Sequence, residues 1–419
     1  MKYDVIIIGG GAAGFFTAIN LAETARHLNI LILERGKEVL TKVRVSGGGR
    51  CNVTHADFLP KSLSTNYPRG ERELLGPFHQ FMTGDTMAWF EERGVSLKIE
   101  DDGRIFPVTD SSQTIIDCFL NEAKKYNVTI KTGEAVNELF KVNKDWQLKT
   151  KNTVFTTDKV VIATGSNPKI WNLLATLGHS VINAIPSLFT FNIDDNRIKD
   201  LPGLATEAFV ELLDENGNIL KSNKGERADR GGVSGALLIT HWGMSGPAIL
   251  KLSAWGAREL HGLEYKFSIK VNWLPDLTVD VIYDKLLQLK LQFAKQMAHT
   301  NSQFDLPKRL WQSILLASEI ESQTRWADLN KEQMQQIVFH LNASVFRVDG
   351  KSTFKEEFVT AGGINLREVN FKTFESKIQP GLYFAGEVLN IDAVTGGFNF
   401  QNAWTGGFIA AKAIADAVN

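Results

Sequence analysis

The opening stretch of the chain contains the pattern that most limits what this sequence can fold into. The apolar run Val5–Ile8 leads directly into Gly9–Gly14, whose glycines follow the spacing G-x-G-x-x-G. Such a run is typical of a strand buried in a parallel sheet, and the glycines allow a tight turn into a helix. A second apolar run, Leu31–Leu33, ends at Glu34, about 20 residues after the glycines. This order of strand, glycines, helix, strand and acid predicts a βαβ unit of the Rossmann type.

Each glycine of this motif has its own physical role in the prediction. Gly9 permits the turn out of the strand, Gly11 lets a pyrophosphate approach the backbone, and Gly14 lets the helix pack closely on the sheet. The free N–H groups and the positive end of the helix dipole then face the phosphates. Glu34 is placed to accept hydrogen bonds from a ribose. A glycine-rich turn without a ligand is the less favoured alternative.

Composition and cysteine content exclude several other classes of protein. The 419 residues allow two or three domains, and a hydrophobic content of 43% is ordinary for a globular protein. The net charge of −1 gives no general basic field for nucleic acid, although a local basic face stays possible. Cys51 and Cys118 form no C-x-x-C pair, which argues against a dithiol relay and favours a reducing, cytoplasmic setting. Neither a signal peptide nor a membrane span is expected.

The succession of predicted elements along the chain is α/β, then β, then α, then α/β again. This order predicts an α/β fold in which one nucleotide-binding domain is split by a long insertion. An Asp-Gly turn at Asp102-Gly103 predicts a hairpin early in the first part. The later predictions are strands over 188–272, helices over 277–342, strands at 344–348 and 354–359, a core strand at Leu382–Ala385 and a helix near 400–417.

Two later strands also end in small residues. Val161–Ala163 runs into Thr164-Gly165, and Leu382–Ala385 runs into Gly386-Glu387. With the opening motif they resemble two-motif flavoproteins of the glutathione-reductase type, and this resemblance implies that Glu387 or Asp392 hydrogen-bonds the ribityl chain of FAD. A plain loop after a strand is the alternative. Since no second G-x-G-x-x-G follows a strand, we expect NAD(P)H to bind transiently rather than in a domain of its own.

Glycines also precede the last predicted helix. Gly396 and Gly397 stand just before it, followed by Phe398 and Asn399. Their N–H groups would meet the pyrimidine edge of a flavin, whose O2 carries negative charge when the ring is reduced. An ordinary helix N-terminus is the alternative interpretation.

The stretch Lys42–Asn52 is the most distinctive part of the sequence. Gly47, Gly48 and Gly49 let the backbone approach a flat or anionic group closely, and Lys42, Arg44 and Arg50 add positive charge. Five motifs, found in order over nearly the whole chain, resemble the HI0933-type flavoprotein family, also called the BaiN/RdsA family. They are Ser46–Asn52, Asp102–Pro107, Ile239–Pro247, Thr360–Ile364 and Gly386–Asn399.

The resemblance implies a Rossmann-like FAD-binding domain split by an inserted β-barrel-like domain and a small helical insert. The family is described as NAD(P)H-dependent flavin oxidoreductases that reduce C=C bonds, either in unsaturated bile-acid intermediates or in a uridine of ribosomal RNA. Asn390 and Phe398 stand where an acid and a tyrosine are usual. The predicted bounds are 1–190 and 352–419 for the FAD-binding domain, 191–275 and 343–351 for the β-barrel-like domain, and 276–342 for the helical insert.

The predicted site residues fall into a cofactor set and a catalytic set, without a metal site. His241 would supply a proton or satisfy backbone groups at a domain junction, Arg50 would orient substrate or phosphate, and Cys51 would act near the flavin or be a small buried hydrophobe. The cofactor set is Gly9, Gly11, Ala12, Ala13, Gly14, Glu34, Arg35, Lys42, Ser46, Gly47, Gly48, Gly49, Arg50, Cys51, Asn52, Ala135, Val136, Ala163, Thr164, Gly165, Gly386, Glu387, Asp392, Gly396, Gly397, Phe398 and Asn399.

Three functions remain open at the level of sequence. The first is a reductase that uses FAD and NAD(P)H to pass a hydride from flavin N5 to an activated C=C bond of a small molecule or of ribosomal RNA. The second is an FAD-dependent monooxygenase, and the third is a non-enzymatic flavin-binding regulatory protein. Lysines of the helical insert would touch RNA, although a solvated helix face is the simpler interpretation. The sequence does not predict an oligomeric state.

Overall fold

A computed structural model describes residues 1–214, 216–220, 231–352 and 359–418. The chain divides into two compact units, Met1–Pro186 with Lys355–Asn419, and Ser187–Phe354. The first unit therefore contains both ends of the chain, and the second consists of the insertion between them. The strand predicted at 354–359 lies, apart from Val359, outside the described residues.

The described residues form 21 strands and 13 α-helices. Among the described residues the strands are β1 (Lys2–Ile8), β2 (Ile30–Leu33), β3 (Thr54–His55), β4 (Leu97–Ile99), β5 (Arg104–Pro107), β6 (Thr129–Lys131), β7 (Glu138–Val142), β8 (Asp145–Lys149), β9 (Val154–Ile162), β10 (Val181–Pro186), β11 (Thr190–Asn192), β12 (Ala205–Leu213), β13 (Gly232–Thr240), β14 (Gly243–Ser245), β15 (Lys266–Asn272), β16 (Ser344–Asp349), β17 (Lys351–Ser352), β18 (Thr360–Ile364), β19 (Val369–Asn370), β20 (Glu375–Ser376) and β21 (Leu382–Phe384). The helices are α1 (Ala12–Thr24), α2 (Thr41–Gly49), α3 (Pro60–Ser64), α4 (Glu71–Phe78), α5 (Thr83–Glu91), α6 (Ser112–Lys125), α7 (Pro168–Thr176), α8 (Pro247–Trp255), α9 (Ala257–Gly262), α10 (Val279–Gln292), α11 (Lys308–Ala317), α12 (Lys331–Asn342) and α13 (Phe398–Asp416).

The core of the first unit is a parallel sheet with the strand order β6-β2-β1-β9-β21. In β1, Ile6 lies beside Leu31 of β2 on one side and beside Val160 of β9 on the other. Val160 in turn pairs with Leu382 of β21, so a strand from the C-terminal part completes the sheet. Because Val5–Ile8 is buried on both faces, as parallel strands require, the predicted Rossmann-like α/β fold is confirmed.

Two helices from opposite ends of the chain pack against each other beside this sheet. A Cβ placed on Gly407 of α13 would lie 3.1 Å from the carbonyl oxygen of Ala13 in α1, so the helix backbones approach closely. The ring centroids of Phe16 and Trp404 are 5.2 Å apart, and Phe119 and Trp89 extend the same buried aromatic group. The C-terminal helix is therefore part of the core of the nucleotide-binding unit.

The second unit is an antiparallel sheet with the order β16-β15-β12-β13-β14-β11-β17, together with helices α8 to α12. Buried and less buried residues alternate along β15 and β16, as expected for strands with one face in a core. Trp311 of α11 and Leu341 of α12 belong to the same hydrophobic core as Val271 of β15. The predicted helical insert thus shares its core with the sheet. Among the described residues no helix has the length and apolar character needed to cross a bilayer.

Candidate functional site

Of the three glycines that make up the G-x-G-x-x-G spacing after β1, the fold requires two and does not require the third. Gly9 has a φ of +114°, and a Cβ there would lie 2.4 Å from the carbonyl oxygen of Ala163. A Cβ on Gly14 would lie 2.0 Å from the carbonyl oxygen of Gly9. Gly11 instead has ordinary extended angles, and no atom lies within 4 Å of the place its Cβ would take. The space beside Gly11 is therefore open to a ligand.

This open space lies at the N-terminus of α1, next to a fixed carboxylate. Gly11 is the N-cap of α1 and offers no side-chain acceptor, so the helix presents N–H groups suited to an anion. Glu34 accepts the Gly10 N–H through Oε2 at 2.8 Å and the Gly36 N–H through Oε1 at 2.7 Å. Each carboxylate oxygen keeps a lone pair for a hydroxyl. The backbone of Glu134, just before Ala135 and Val136, pairs with Glu34, whereas Arg35 is exposed.

Three segments that are far apart in sequence converge at the carboxyl ends of β9 and β21. The Nζ of Lys42 lies 2.7 Å from Oε2 of Glu387. A Cβ on Gly165, which follows β9, would lie 3.6 Å from the same Oε2 and 3.7 Å from the Lys42 Nζ. The Lys42 and Glu387 side chains are 61% and 20% exposed, so a ligand can reach both. Ligands of open α/β sheets bind at this edge.

The glycines of α2 form an arch with left-handed backbone angles. Gly47, Gly48 and Gly49 have φ values of +57°, +67° and +85°, and the chain then passes through Arg50 to Cys51 at +61°. Nothing lies within 4 Å of a Cβ built on Gly48 or Gly49. Consecutive N–H groups in such a turn form a concave surface that suits an anionic or flat group. The arch therefore has an open side, as the sequence predicts.

The N-terminus of α13 packs on the short strand β3. Gly397 is its N-cap, with a φ of +95°, and a Cβ there would lie 2.7 Å from the carbonyl of Thr54 and 2.8 Å from Oδ1 of Asn52. The Thr54 hydroxyl donates to Oε1 of Gln401 at 2.6 Å. Asn399 accepts the Ala393 N–H at 3.0 Å, which secures the loop before the helix. Segments from both ends of the chain thus build this part of the site.

The two acids named for the ribityl chain have different surroundings. Asp392 is fully buried, and the guanidinium of Arg69 donates to both of its oxygens, from Nε at 2.6 Å and from Nη2. The backbones of these residues also form an isolated antiparallel bridge. Glu387 is reachable from solvent, so Glu387 is the acid of the two that is placed to meet a ligand.

The candidate catalytic residues are divided between the two units, with Arg50 and Cys51 in the first and His241 in the second. Arg50 lies 2.6 Å from Glu100 and places its guanidinium 3.9 Å from the centroid of the Phe106 ring, and the hydrogen bond to Glu100 raises its pKa. Cys51 is fully buried, and burial raises the pKa of its thiol to about 12. His241 belongs to the second unit, where it is exposed in the turn between β13 and β14.

The buried thiol of Cys51 leads to a prediction. Since a raised pKa keeps the thiol protonated until the pH nears 12, and since the thiolate is the reactive form, Cys51 should not react with Ellman's reagent in the folded protein at pH 8. The pKa of Cys118 is also raised to about 12, mainly by burial. Both thiols should react in guanidinium chloride, which serves as the control. Rapid native labelling of Cys51 would contradict its assignment as a small buried hydrophobe.

Sequence reasoning missed three side chains that support the site. Tyr67 donates its hydroxyl to the carbonyl oxygen of Phe398 at 2.6 Å, and burial raises its pKa, which keeps it a donor. His55 contacts Gly396, and Arg69 neutralises Asp392. Each partner lies more than 300 positions away. No local pattern therefore signals these contacts.

One family model matches nearly the whole chain. The family described as HI0933-like protein Rossmann domain matches residues 3–413. A ribosomal RNA dihydrouridine synthase of Escherichia coli K12 is 28% identical over 427 residues, covering 98% of each chain. A 3-dehydro-bile acid delta(4,6)-reductase of Clostridium scindens is 27% identical over 422 residues, again covering 98% of each. The solved structure of a 3-ketosteroid dehydrogenase of Rhodococcus jostii RHA1 covers 98% of this chain and 97% of its own, at 12% identity and a TM-score of 0.49.

Proposed function

The chain belongs to the HI0933-like family, and we propose that it is an FAD-dependent oxidoreductase that uses NAD(P)H to reduce an activated C=C bond. In the overall reaction NAD(P)H is oxidised to NAD(P)⁺, while the substrate gains a hydride and a proton. We place this activity in the cytoplasm, in keeping with the free cysteines Cys51 and Cys118.

The residues of the first unit fit FAD. The observation that carries the proposal is the open space at Gly11, beside the N-terminus of α1 and the anchored carboxylate of Glu34, because it suits a pyrophosphate and a ribose. Glu387 would accept hydrogen bonds from the ribityl hydroxyls. Lys42 carries a positive charge at the same edge and would face a phosphate.

Two glycine-rich elements fit the ring system. The arch at Gly47–Gly49 leaves open space at Gly48 and Gly49, where side chains would otherwise project, so that a flat ring can approach the backbone. The N-terminus of α13, at Gly396 and Gly397, supplies N–H groups that stabilise negative charge at a pyrimidine edge. Bound FAD supplies the two-electron hydride chemistry that side chains lack. The chain's own contribution is to bind, orient and stabilise charge.

Anaerobic reduction tests the proposed activity directly. Purified protein reconstituted with FAD is mixed with NADPH or NADH, and the visible absorbance of the flavin is followed. We expect one donor or both to bleach it much faster than they bleach free FAD, which is the control. If the absorbance persists with both donors, the reductase assignment fails. Substrate-stimulated oxygen uptake with a hydroxylated product would indicate a monooxygenase instead.

The substrate is the finer part of the proposal, since the relatives named above act on two different classes. One arm removes the gene and measures dihydrouridine in ribosomal RNA, and the other follows NAD(P)H oxidation when an unsaturated 3-keto bile acid is added to the purified enzyme. A loss of dihydrouridine that the wild-type gene restores supports an RNA substrate. Unchanged dihydrouridine together with bile-acid turnover supports a small molecule. Failure of both arms contradicts both substrate classes.

A further inference from the structure

His55 is a titratable side chain of the cofactor region to which the proposed function assigns no role. It ends β3, where it pairs with Arg104 of β5, and the following N–H, that of Ala56, donates to the carbonyl of Gly103 at 2.7 Å. A Cβ on Gly103 would lie 2.7 Å from Nε2 of His55, so the backbone of the turn at Gly103 packs closely against the imidazole. The backbone around His55 is therefore fixed by sheet pairing.

The imidazole reaches across to the two glycines before α13. Its Nδ1 lies 3.1 Å from the carbonyl oxygen of Gly396, and because a carbonyl only accepts, Nδ1 must carry the proton. The ring packs against Phe398, the first residue of α13, with a centroid distance of 4.5 Å and an interplanar angle of 33°. His55 thus contacts the residues on both sides of the N-cap Gly397.

These contacts restrain the segment Gly396-Gly397, which would otherwise have high conformational freedom because both residues are glycines. Gly396 and Gly397 have φ values of +131° and +95°, which side-chain-bearing residues rarely adopt, and glycine has the largest conformational freedom to lose. The carbonyl of Gly396 is held by His55, and that of Phe398 is held by Tyr67. With two carbonyls secured, the direction of the first-turn N–H groups is set.

We propose that His55 is a positioning residue of the cofactor site, holding the Gly396 carbonyl through Nδ1–H and thereby fixing the N-terminus of α13 at which FAD binds. The inference rests on the proposed function for the identity of the cofactor. It goes further by assigning a role to a histidine that touches the cofactor's binding element rather than the substrate. His55, through Gly396, sets both the affinity for FAD and the redox potential of the bound flavin.

The test compares three substitutions in the full-length protein. His55→Phe keeps a ring against Phe398 but removes the donor, and His55→Asn keeps a donor close to the position of Nδ1. His27→Phe is the matched control, since His27 is exposed in the turn between α1 and β2. The dissociation constant for FAD is measured by titrating the apoprotein, and the midpoint potential is measured on the reconstituted protein.

We expect His55→Phe to raise the dissociation constant for FAD by about 2- to 10-fold, which corresponds to one neutral hydrogen bond. The midpoint potential should shift to a more negative value, because misdirected N–H groups stabilise the reduced ring less well. His55→Asn should recover most of both changes, and His27→Phe should change neither. If His55→Phe does not fold, His55→Gln gives the same comparison, because its amide mimics Nε2 rather than Nδ1.

The outcomes separate this inference from the proposed function. If the wild type binds no FAD, the cofactor assignment itself fails. If the wild type binds FAD but His55→Phe matches it in both affinity and potential, the positioning role alone is overturned. The role is also overturned if His55→Asn is as impaired as His55→Phe at equal thermal stability, because the hydrogen bond would then not be the cause.

Discussion

Replacing Gly11 by alanine is expected to weaken FAD binding by at least about 100-fold while leaving the apoprotein as stable as the wild type. The added methyl group meets no protein atom within 4 Å and the backbone angles of Gly11 are ordinary, so folding has no reason to suffer. The methyl group would, however, occupy the space through which the pyrophosphate reaches the backbone. Two lost charge-assisted hydrogen bonds, at about 1.5–3 kcal/mol each, account for the size of the effect.

Two further glycine variants make this result specific. Gly76→Ala is the matched control, because Gly76 lies within α4 and a Cβ there also meets nothing within 4 Å. Gly76→Ala should bind FAD with the affinity of the wild type. Its free energy of unfolding should be about 0.5–1 kcal/mol higher than that of the wild type, because alanine favours a helix more than glycine does. Gly14→Ala should destabilise the apoprotein as well, since its Cβ would overlap the Gly9 carbonyl. Urea denaturation measures the stability of each apoprotein. If Gly11→Ala binds FAD within a few-fold of the wild-type affinity, the placement of the pyrophosphate beside Gly11 is wrong.

Replacing Arg69 by methionine is expected to lower the free energy of unfolding by about 3–5 kcal/mol. Asp392 is fully buried and receives two hydrogen bonds from the Arg69 guanidinium. Removing the cation leaves a carboxylate in the protein interior without its counter-charge, which is much more costly than removing both charges together. The double variant Arg69→Met with Asp392→Leu should therefore recover most of the loss.

An exposed ion pair serves as the control for this prediction. Lys149 and Glu138 lie 3.0 Å apart on β8 and β7, and about half of each side chain is exposed. Lys149→Met should change the free energy of unfolding by less than about 1 kcal/mol, because water screens the pair. Urea denaturation measures all of these variants. A loss below about 1 kcal/mol for Arg69→Met would show that the buried pair does not stabilise the fold.

The parts of the molecule that the sequence predicts are those built from neighbouring residues. The Gly9–Gly14 turn, the strand that ends at Glu34 and the hairpin around Asp102-Gly103 follow from hydrophobic period and turn chemistry within short windows. The pairs Arg69–Asp392 and His55–Gly396 depend on the way distant segments meet, and neither partner carries a local signal for the other. The resemblance to two-motif flavoproteins implied a cofactor role for Asp392, and no local signal indicated its hydrogen bonds with Arg69.

The helical insert also shows that sequence patterns do not reveal contacts between distant segments. A change from strand to helix periodicity predicts helices over 277–342, and α10 to α12 lie within this range. Periodicity reports only which face of a helix is apolar, and says nothing about what that face packs against. Trp311 and Leu341 pack into the core that the sheet of the second unit also uses. The order of the elements therefore did not predict that the helices and the antiparallel sheet share one core.

The packing of α1 against α13 has a consequence for folding during synthesis on the ribosome. Helix α1 is synthesised well before α13, so Phe16 of α1 lacks its contact with Trp404 until α13 has been made. At ~5–20 residues per second, the time between the synthesis of α1 and that of α13 is on the order of half a minute. During that time the nascent chain exposes apolar surface of the kind that favours aggregation and chaperone binding. The part of the proposed cofactor site that the N-terminus of α13 forms is therefore complete only after α13 has been synthesised.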